Sequence, residues 1–159
     1  MRFVFVSAFF VITLSILVWI TGDPNSVNSN YRGCSKSNEP IPVHHEEYLL
    51  QYGWHIKTIC NTSSEVVNYY PERIETMQIA GLNLDPYNQR GKEAKITTYT
   101  LKEKQKNGDK LSATIYEIDG QLIGGYGGLE NWIPGVFSLS DKERLIEEEI
   151  ISGIKSQSE

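Results

Sequence analysis

The chain has 159 residues, of which 40% are hydrophobic and 22% are charged, and its formal net charge is −5 at pH 7. This length and composition are typical of a single globular domain. The acidic excess repels the phosphate backbone of nucleic acids, so we expect no nucleic-acid partner.

Residues 3–20 form a continuous apolar run without a charged side chain, from Phe3 to Ile20. A helix of that length reaches about 27 Å, close to the hydrocarbon thickness of a bilayer. Arg2 precedes the run, and the next basic residue is Arg32. This asymmetry predicts a cytoplasmic N-terminus, a single membrane span and a C-terminal domain outside the cell membrane.

The same run has two interpretations, a retained signal-anchor and a cleaved signal peptide, both covering residues 1–22. Its length favours the anchor, because the apolar region of a signal peptide is usually shorter. Gly22, followed by Asp23 and Pro24, nevertheless supplies a small residue for cleavage, after which the protein would be secreted. Residues 23–43 are rich in Asn, Ser and Pro and are predicted to be a flexible linker.

The chain has two cysteines, Cys34 in the linker and Cys60 in the domain. An exported location permits a disulfide between them, which would join the linker to the domain. Two independent thiols are the alternative, since the spacing alone gives no distance.

The domain proper, residues 44–139, begins with two predicted helices and a strand. A short helix from His44 ends at Gly53, a strand follows over residues 54–60, and Pro71 opens a second helix that ends near Gly81.

A β-meander is predicted next, from alternating side chains over residues 94–102, 110–118 and 121–127. Asp119-Gly120 is a two-residue hairpin turn. The capping-box spacing that begins at Ser140 then predicts an amphipathic helix over residues 140–159, with Ile146, Ile150 and Ile154 as its apolar stripe.

This order predicts an α+β domain, with a three- to four-stranded antiparallel sheet and two or three helices against one of its faces.

Three motifs give the sequence a likeness to a known family: Tyr52-Gly53-Trp54, the segment 81–87, and Ile123-Gly124-Gly125. Over residues 46–136 the chain resembles an uncharacterised family (a domain of unknown function) of small membrane-anchored extracytoplasmic proteins from Gram-positive, often spore-forming bacteria. The resemblance implies a bacterial envelope protein, with a sporulation-associated role as one alternative, and no established activity. Where that family is expected to have an acidic residue after the paired glycines, this chain has Tyr126.

Candidate metal ligands occur together in His44-His45-Glu46-Glu47, with His55 a short distance beyond. Adjacent residues of a helix point about 100° apart, and no HExxH spacing is present. These side chains are therefore predicted to be exposed polar groups at a helix start, and we expect no metal and no other cofactor.

Catalytic and phosphate-binding motifs are weak. The glycines from Gly124 to Gly128 continue a strand instead of opening a helix, which favours close backbone packing over a phosphate loop. No GxSxG is present. An enzyme or ligand-binding site would have to be assembled from scattered residues, namely His44, His45, His55, Asp85 or Glu117.

An apolar stretch remains, formed by Trp132, Ile133, Val136 and Phe137 and interrupted by a Pro-Gly pair. If exposed it would suit a protein partner in the envelope, and the alternative is burial beneath the C-terminal helix. We therefore expect a non-catalytic, envelope-associated interaction protein, with a secreted ligand-binding protein or enzyme as the alternative.

Overall fold

A computed structural model describes Cys34 and residues 39–152. These residues belong to one of two units into which the chain divides, Tyr31–Glu159. The predicted membrane segment at residues 3–20, most of the linker and residues 153–159 lie outside the described residues. Within the described part, no helix is both long enough and apolar enough to cross a membrane.

The described elements alternate short helices with longer strands. The first half of the chain contains α1 (Val43–Leu50), β1 (Ile56–Val66), α2 (Pro71–Ile79) and the single-turn helix α3 (Asp85–Asn88). The second half contains β2 (Glu93–Lys104), β3 (Lys110–Ile118), β4 (Gln121–Leu129), β5 (Val136–Phe137), a 3₁₀ turn (Leu139–Asp141) and α4 (Lys142–Glu147).

The five strands form one antiparallel sheet in the order β1-β2-β3-β4-β5, so each strand pairs with the next along the chain. The architecture is an antiparallel sheet with short helices, as expected, but it has five strands and not three or four. The strand absent from the prediction is β5, whose Phe137 pairs with Gly127 of β4. Two residues carry too little periodicity to identify a strand in the sequence.

Strand β3 is covered on both faces, and all its residues but the first are buried. Leu111 and Ile115 belong to one hydrophobic core, whereas Tyr116 and Ile118 belong to another. Because successive side chains of a strand point to opposite faces, the two cores lie on the two sides of the sheet. The expectation that helices pack on only one face is therefore wrong.

The first core contains residues of α1 and α4, and the second contains residues of α2. Trp54, just after α1, is fully buried in the first core, and its indole N–H donates to the carbonyl of Leu139 at 2.8 Å. The Lys142 ammonium lies 4.7 Å from the centre of the same ring. These contacts connect the two ends of the described chain on one face of the sheet.

Two predicted turns are confirmed. Gly53 follows α1 with a φ of +78°, a left-handed conformation that suits glycine and ends the helix. Asp119 and Gly120 have φ values of +52° and +76°, the pair of positive angles that a two-residue type I′ hairpin requires.

The C-terminal helix is shorter than predicted. Helix α4 ends at Glu147, and Glu149 has a φ of +58°, which is incompatible with a continuing helix. Ile151 then forms an antiparallel bridge with Gln105 next to β2. Tertiary pairing with the sheet therefore replaces the helical stripe that predicted a helix over residues 140–159.

Cys34 and Cys60 form a disulfide, with their Cα atoms 4.4 Å apart and 26 positions between them in sequence. The Thr100 hydroxyl lies 3.0 Å from the Cys34 sulfur. A cross-link that closes a loop of this size stabilises a fold by about 3 kcal/mol. It attaches the segment before α1 to strand β1.

The glycines of β4 permit close packing, as the sequence analysis favoured. A Cβ atom at Gly127 would lie 2.1 Å from two ring carbons of Phe137, and one at Gly125 would lie 2.5 Å from the Thr114 carbonyl oxygen. The backbone of β4 therefore approaches both neighbouring strands more closely than a side chain would permit.

Replacement of Gly127 by Ala is expected to lower the free energy of unfolding by about 2 kcal/mol, because the new methyl group overlaps the Phe137 ring. Urea unfolding of the single variants and of a Gly127→Ala, Phe137→Leu double variant measures this. The smaller side chain should relieve part of the overlap, so the double variant should be more stable than additivity predicts. Strict additivity would contradict the contact.

Candidate functional site

Two histidines of α1 and one glutamate of β3 meet at the sheet face beneath α1. His44 Nε2 lies 3.0 Å from Glu117 Oε1, and His45 Nε2 lies 3.4 Å from Glu117 Oε2. One ligand atom from each of the three residues can be chosen so that all lie within 4.8 Å of one another. We call this group the His–Glu cluster.

The convergence corrects the expectation that adjacent helical histidines cannot serve one site. Their Cβ directions do diverge, but an imidazole nitrogen lies several bonds from the backbone. The two ring centroids are 4.4 Å apart because both rings turn toward Glu117. Glu46 and Glu47 are exposed, as predicted.

His45 is the buried member of the cluster, with a side chain that is 0% exposed. Its Nδ1 lies 2.5 Å from the Tyr99 hydroxyl. Burial lowers the pKa of His45, and the nearby Glu117 carboxylate opposes this change only in part. The imidazole is therefore neutral at physiological pH.

Glu117 is ionised although its side chain is only 10% exposed. Burial by itself would raise its pKa, but the hydrogen bond with His44 and the neighbouring His45 and Lys95 lower the pKa overall. The Lys95 ammonium lies 3.3 Å from Glu117 Oε2 and is half-exposed. The cluster thus combines one carboxylate, two imidazoles and one movable cation.

Two atoms of the cluster are left without hydrogen bonds. In the described part of the chain, His45 Nε2 and Glu117 Oε2 are the buried side-chain polar atoms that have no hydrogen-bond partner. They face one another at 3.4 Å, but the pair is not aligned as a hydrogen bond. Such atoms usually have a structural explanation, an unseen ligand among them.

His55 and Asp85, the other two residues proposed for an assembled site, lie elsewhere. His55 Nδ1 pairs with Glu103 Oε1 at 2.9 Å. Asp85 is exposed at the start of α3, where its backbone N–H donates to Asn83. Three of the five residues therefore converge and two do not.

A second buried carboxylate, Glu103 of β2, was missed in the sequence. Its side chain is 0% exposed and lies 2.8 Å from the Lys142 ammonium, which also donates to the Gly53 carbonyl. The His55 backbone N–H donates to Glu103 Oε2 at 3.2 Å. A signal was available, because Glu103 falls on the face of β2 that also carries Leu101 of the first core.

Glu103 has partners where Glu117 has gaps. Burial alone would raise the pKa of Glu103, but hydrogen bonds from His55, Lys142 and the backbone lower it. The group connects β2 to α4 and to the start of β1, which indicates a structural role.

The apolar stretch before β5 does not form one surface. Ile133 is 100% exposed and Trp132 is 49% exposed, but Phe137 is buried in the first core and Val136 is half-buried. The Trp132 indole N–H donates to Gln105 Oε1 at 2.9 Å. The predicted interaction patch is therefore reduced to its first two residues, and its end belongs to the core.

No protein-family model matches the chain, and comparisons with curated proteins and with solved structures also find no match. The resemblance to a family of membrane-anchored envelope proteins stays a prediction.

Replacement of Glu103 by Gln is expected to lower the free energy of unfolding at neutral pH by about 3 kcal/mol, because the Lys142 charge would remain buried without its partner. The folded-state pKa of Glu103 lies below its ordinary value of 4.5. The stabilisation is therefore complete above that value and is lost as the pH falls through the folded-state pKa.

Urea unfolding of both proteins at neutral and acidic pH measures this effect, with the disulfide kept oxidised. The difference between them should shrink on acidification. Glu148→Gln, which alters an exposed pair with Arg144, is the matched control and should change stability little. An equal loss for Glu103→Gln at both pH values would contradict the ionised assignment.

Proposed function

We propose that the protein is a non-catalytic binding domain held outside the cytoplasm by its N-terminal segment. The observation that carries the proposal is the Cys34–Cys60 disulfide. Disulfides form and persist in oxidising compartments, whereas cytosolic thiols are kept reduced. The disulfide therefore supports the same location as the apolar run at residues 3–20 and its single preceding Arg2.

A protein partner in the envelope is supported by an apolar cleft of about 250 Å³ between α2 and the segment before β5. Its walls include Ile79, Ala80, Pro134 and Val136. Ile79 is 77% exposed, and Ile133, which precedes Pro134, is fully exposed. Exposed apolar side chains around a concave surface are typical of protein-binding sites.

A ligand-binding protein is the second candidate, and the His–Glu cluster favours it. A site assembled from scattered residues required distant parts of the chain to converge, and His44, His45 and Glu117 do so. The two candidates share the same topology.

A topology experiment tests the proposal. In protoplasts, added protease is expected to degrade the C-terminal domain, and a membrane-impermeant maleimide should label the chain only after reduction, because both thiols are in the disulfide. A Cys34→Ser variant should be labelled at Cys60 without a reductant, which controls for access. The mass of the mature N-terminus separates the anchor from the cleaved signal peptide.

The opposite pattern would contradict the proposal. Free thiols that are reached only after lysis, together with a domain that resists external protease until lysis, would place the domain in the cytoplasm.

A further inference from the structure

We propose that His44, His45 and Glu117 bind a divalent transition-metal ion of the zinc class. The site goes beyond a tethered binding domain, because neither export nor protein binding requires a metal. Its ligands would be the Nε2 atoms of the two imidazoles and the Glu117 carboxylate.

The distances fit such an ion. Zinc binds imidazole nitrogen and carboxylate oxygen at about 2.0–2.2 Å in tetrahedral geometry, which separates neighbouring ligand atoms by roughly 3.4 Å. The Nε2 atom of His44 lies 3.0 Å from one Glu117 oxygen, and that of His45 lies 3.4 Å from the other. Small side-chain rotations would bring all three ligand atoms to one point between them.

The unpaired atoms point to a missing ligand. His45 Nε2 and Glu117 Oε2 are buried and have no hydrogen-bond partner. A buried polar atom without a partner costs about 1–3 kcal/mol. A cation bound between them would satisfy both atoms at once, whereas the bare His45–Glu117 pair satisfies neither.

The surroundings of His45 hold its ring in the required orientation. Nδ1 lies 2.5 Å from the Tyr99 hydroxyl, so an Nδ1–H donor to that oxygen leaves the Nε2 lone pair facing Glu117. A hydrogen bond to the non-ligating nitrogen is the usual support of a metal-binding histidine. Tyr99 is therefore a positioning residue.

The ligand set selects the class of ion. Two imidazoles and one carboxylate suit zinc and neighbouring transition metals, whereas Mg²⁺ and Ca²⁺ prefer shells of oxygen atoms. The His44 side chain is 57% exposed, which gives the ion a path from solvent and leaves a coordination position for water or an external ligand.

Lys95 is the competing group. Its ammonium lies 3.3 Å from Glu117 Oε2, where its charge would oppose an incoming cation. The side chain is 52% exposed and can swing into solvent. Metal binding would therefore displace Lys95, and removal of its charge should strengthen binding.

Calorimetric titration with Zn²⁺ tests the site on the full chain in detergent, freed of metal and purified without a polyhistidine tag. One Zn²⁺ should bind per chain, and Mg²⁺ should not compete. His44→Gln and Glu117→Gln should each weaken binding at least tenfold, and Tyr99→Phe about tenfold. Lys95→Gln should tighten it. His55→Gln is the matched control, because it removes a half-exposed histidine paired with another carboxylate, and should leave the affinity unchanged.

Two further readings make the result decisive. Co²⁺ should give the intense visible absorption of a tetrahedral site in the wild type and lose it in His44→Gln, which alters an exposed side chain and should fold normally. Thermal unfolding without metal confirms that each variant is folded. The proposal is overturned if the wild type binds no Zn²⁺, or if His44→Gln, Glu117→Gln and His55→Gln bind alike. Either result would leave the membrane topology untouched, since that is measured separately.

Discussion

The burial of strand β3 on both of its faces is the constraint on which the described domain depends. Leu111, Ala113 and Ile115 require cover on one side, and Tyr116 and Ile118 require it on the other. A sheet that exposed either set to water would lose the burial of several large side chains, each worth about 1.5–3 kcal/mol. Short helices before, within and after the meander supply this cover, although none of them is long enough to be stable alone.

The same constraint removes two carboxylates from solvent. Glu103 and Glu117 lie on the sheet face that the first core covers, so each needs partners within the protein. Glu103 has Lys142, His55 and a backbone N–H, and its position is accounted for by structure alone. Glu117 has two imidazoles and a half-exposed lysine, with a buried oxygen left unpaired. The difference between a satisfied and an unsatisfied carboxylate distinguishes a structural group from a candidate binding site.

Local signals in the sequence were sufficient for the elements they encode. The bounds of β3, the start of α2 at Pro71 and the Asp119-Gly120 turn are as predicted, because alternation, proline geometry and turn chemistry act over a few residues. Features that depend on tertiary pairing were not predictable. Strand β5 exists only because Phe137 packs on Gly127, and the C-terminal helix stops because Ile151 pairs with Gln105. The histidine pair was judged from helix geometry alone, which contains no information about Glu117. The cysteine spacing left the disulfide open because it gives no distance.

Native-state hydrogen exchange tests the central constraint most directly. If two-sided burial of β3 organises the domain, the amides of Ala113 and Ile115 should exchange only through global unfolding, with an opening free energy equal to that of urea unfolding. The amides of Ser63 and Ser64, in the exposed half of edge strand β1, should exchange through smaller openings. Exchange of the β3 amides through local opening, at a lower free energy than those of β1, would contradict the account.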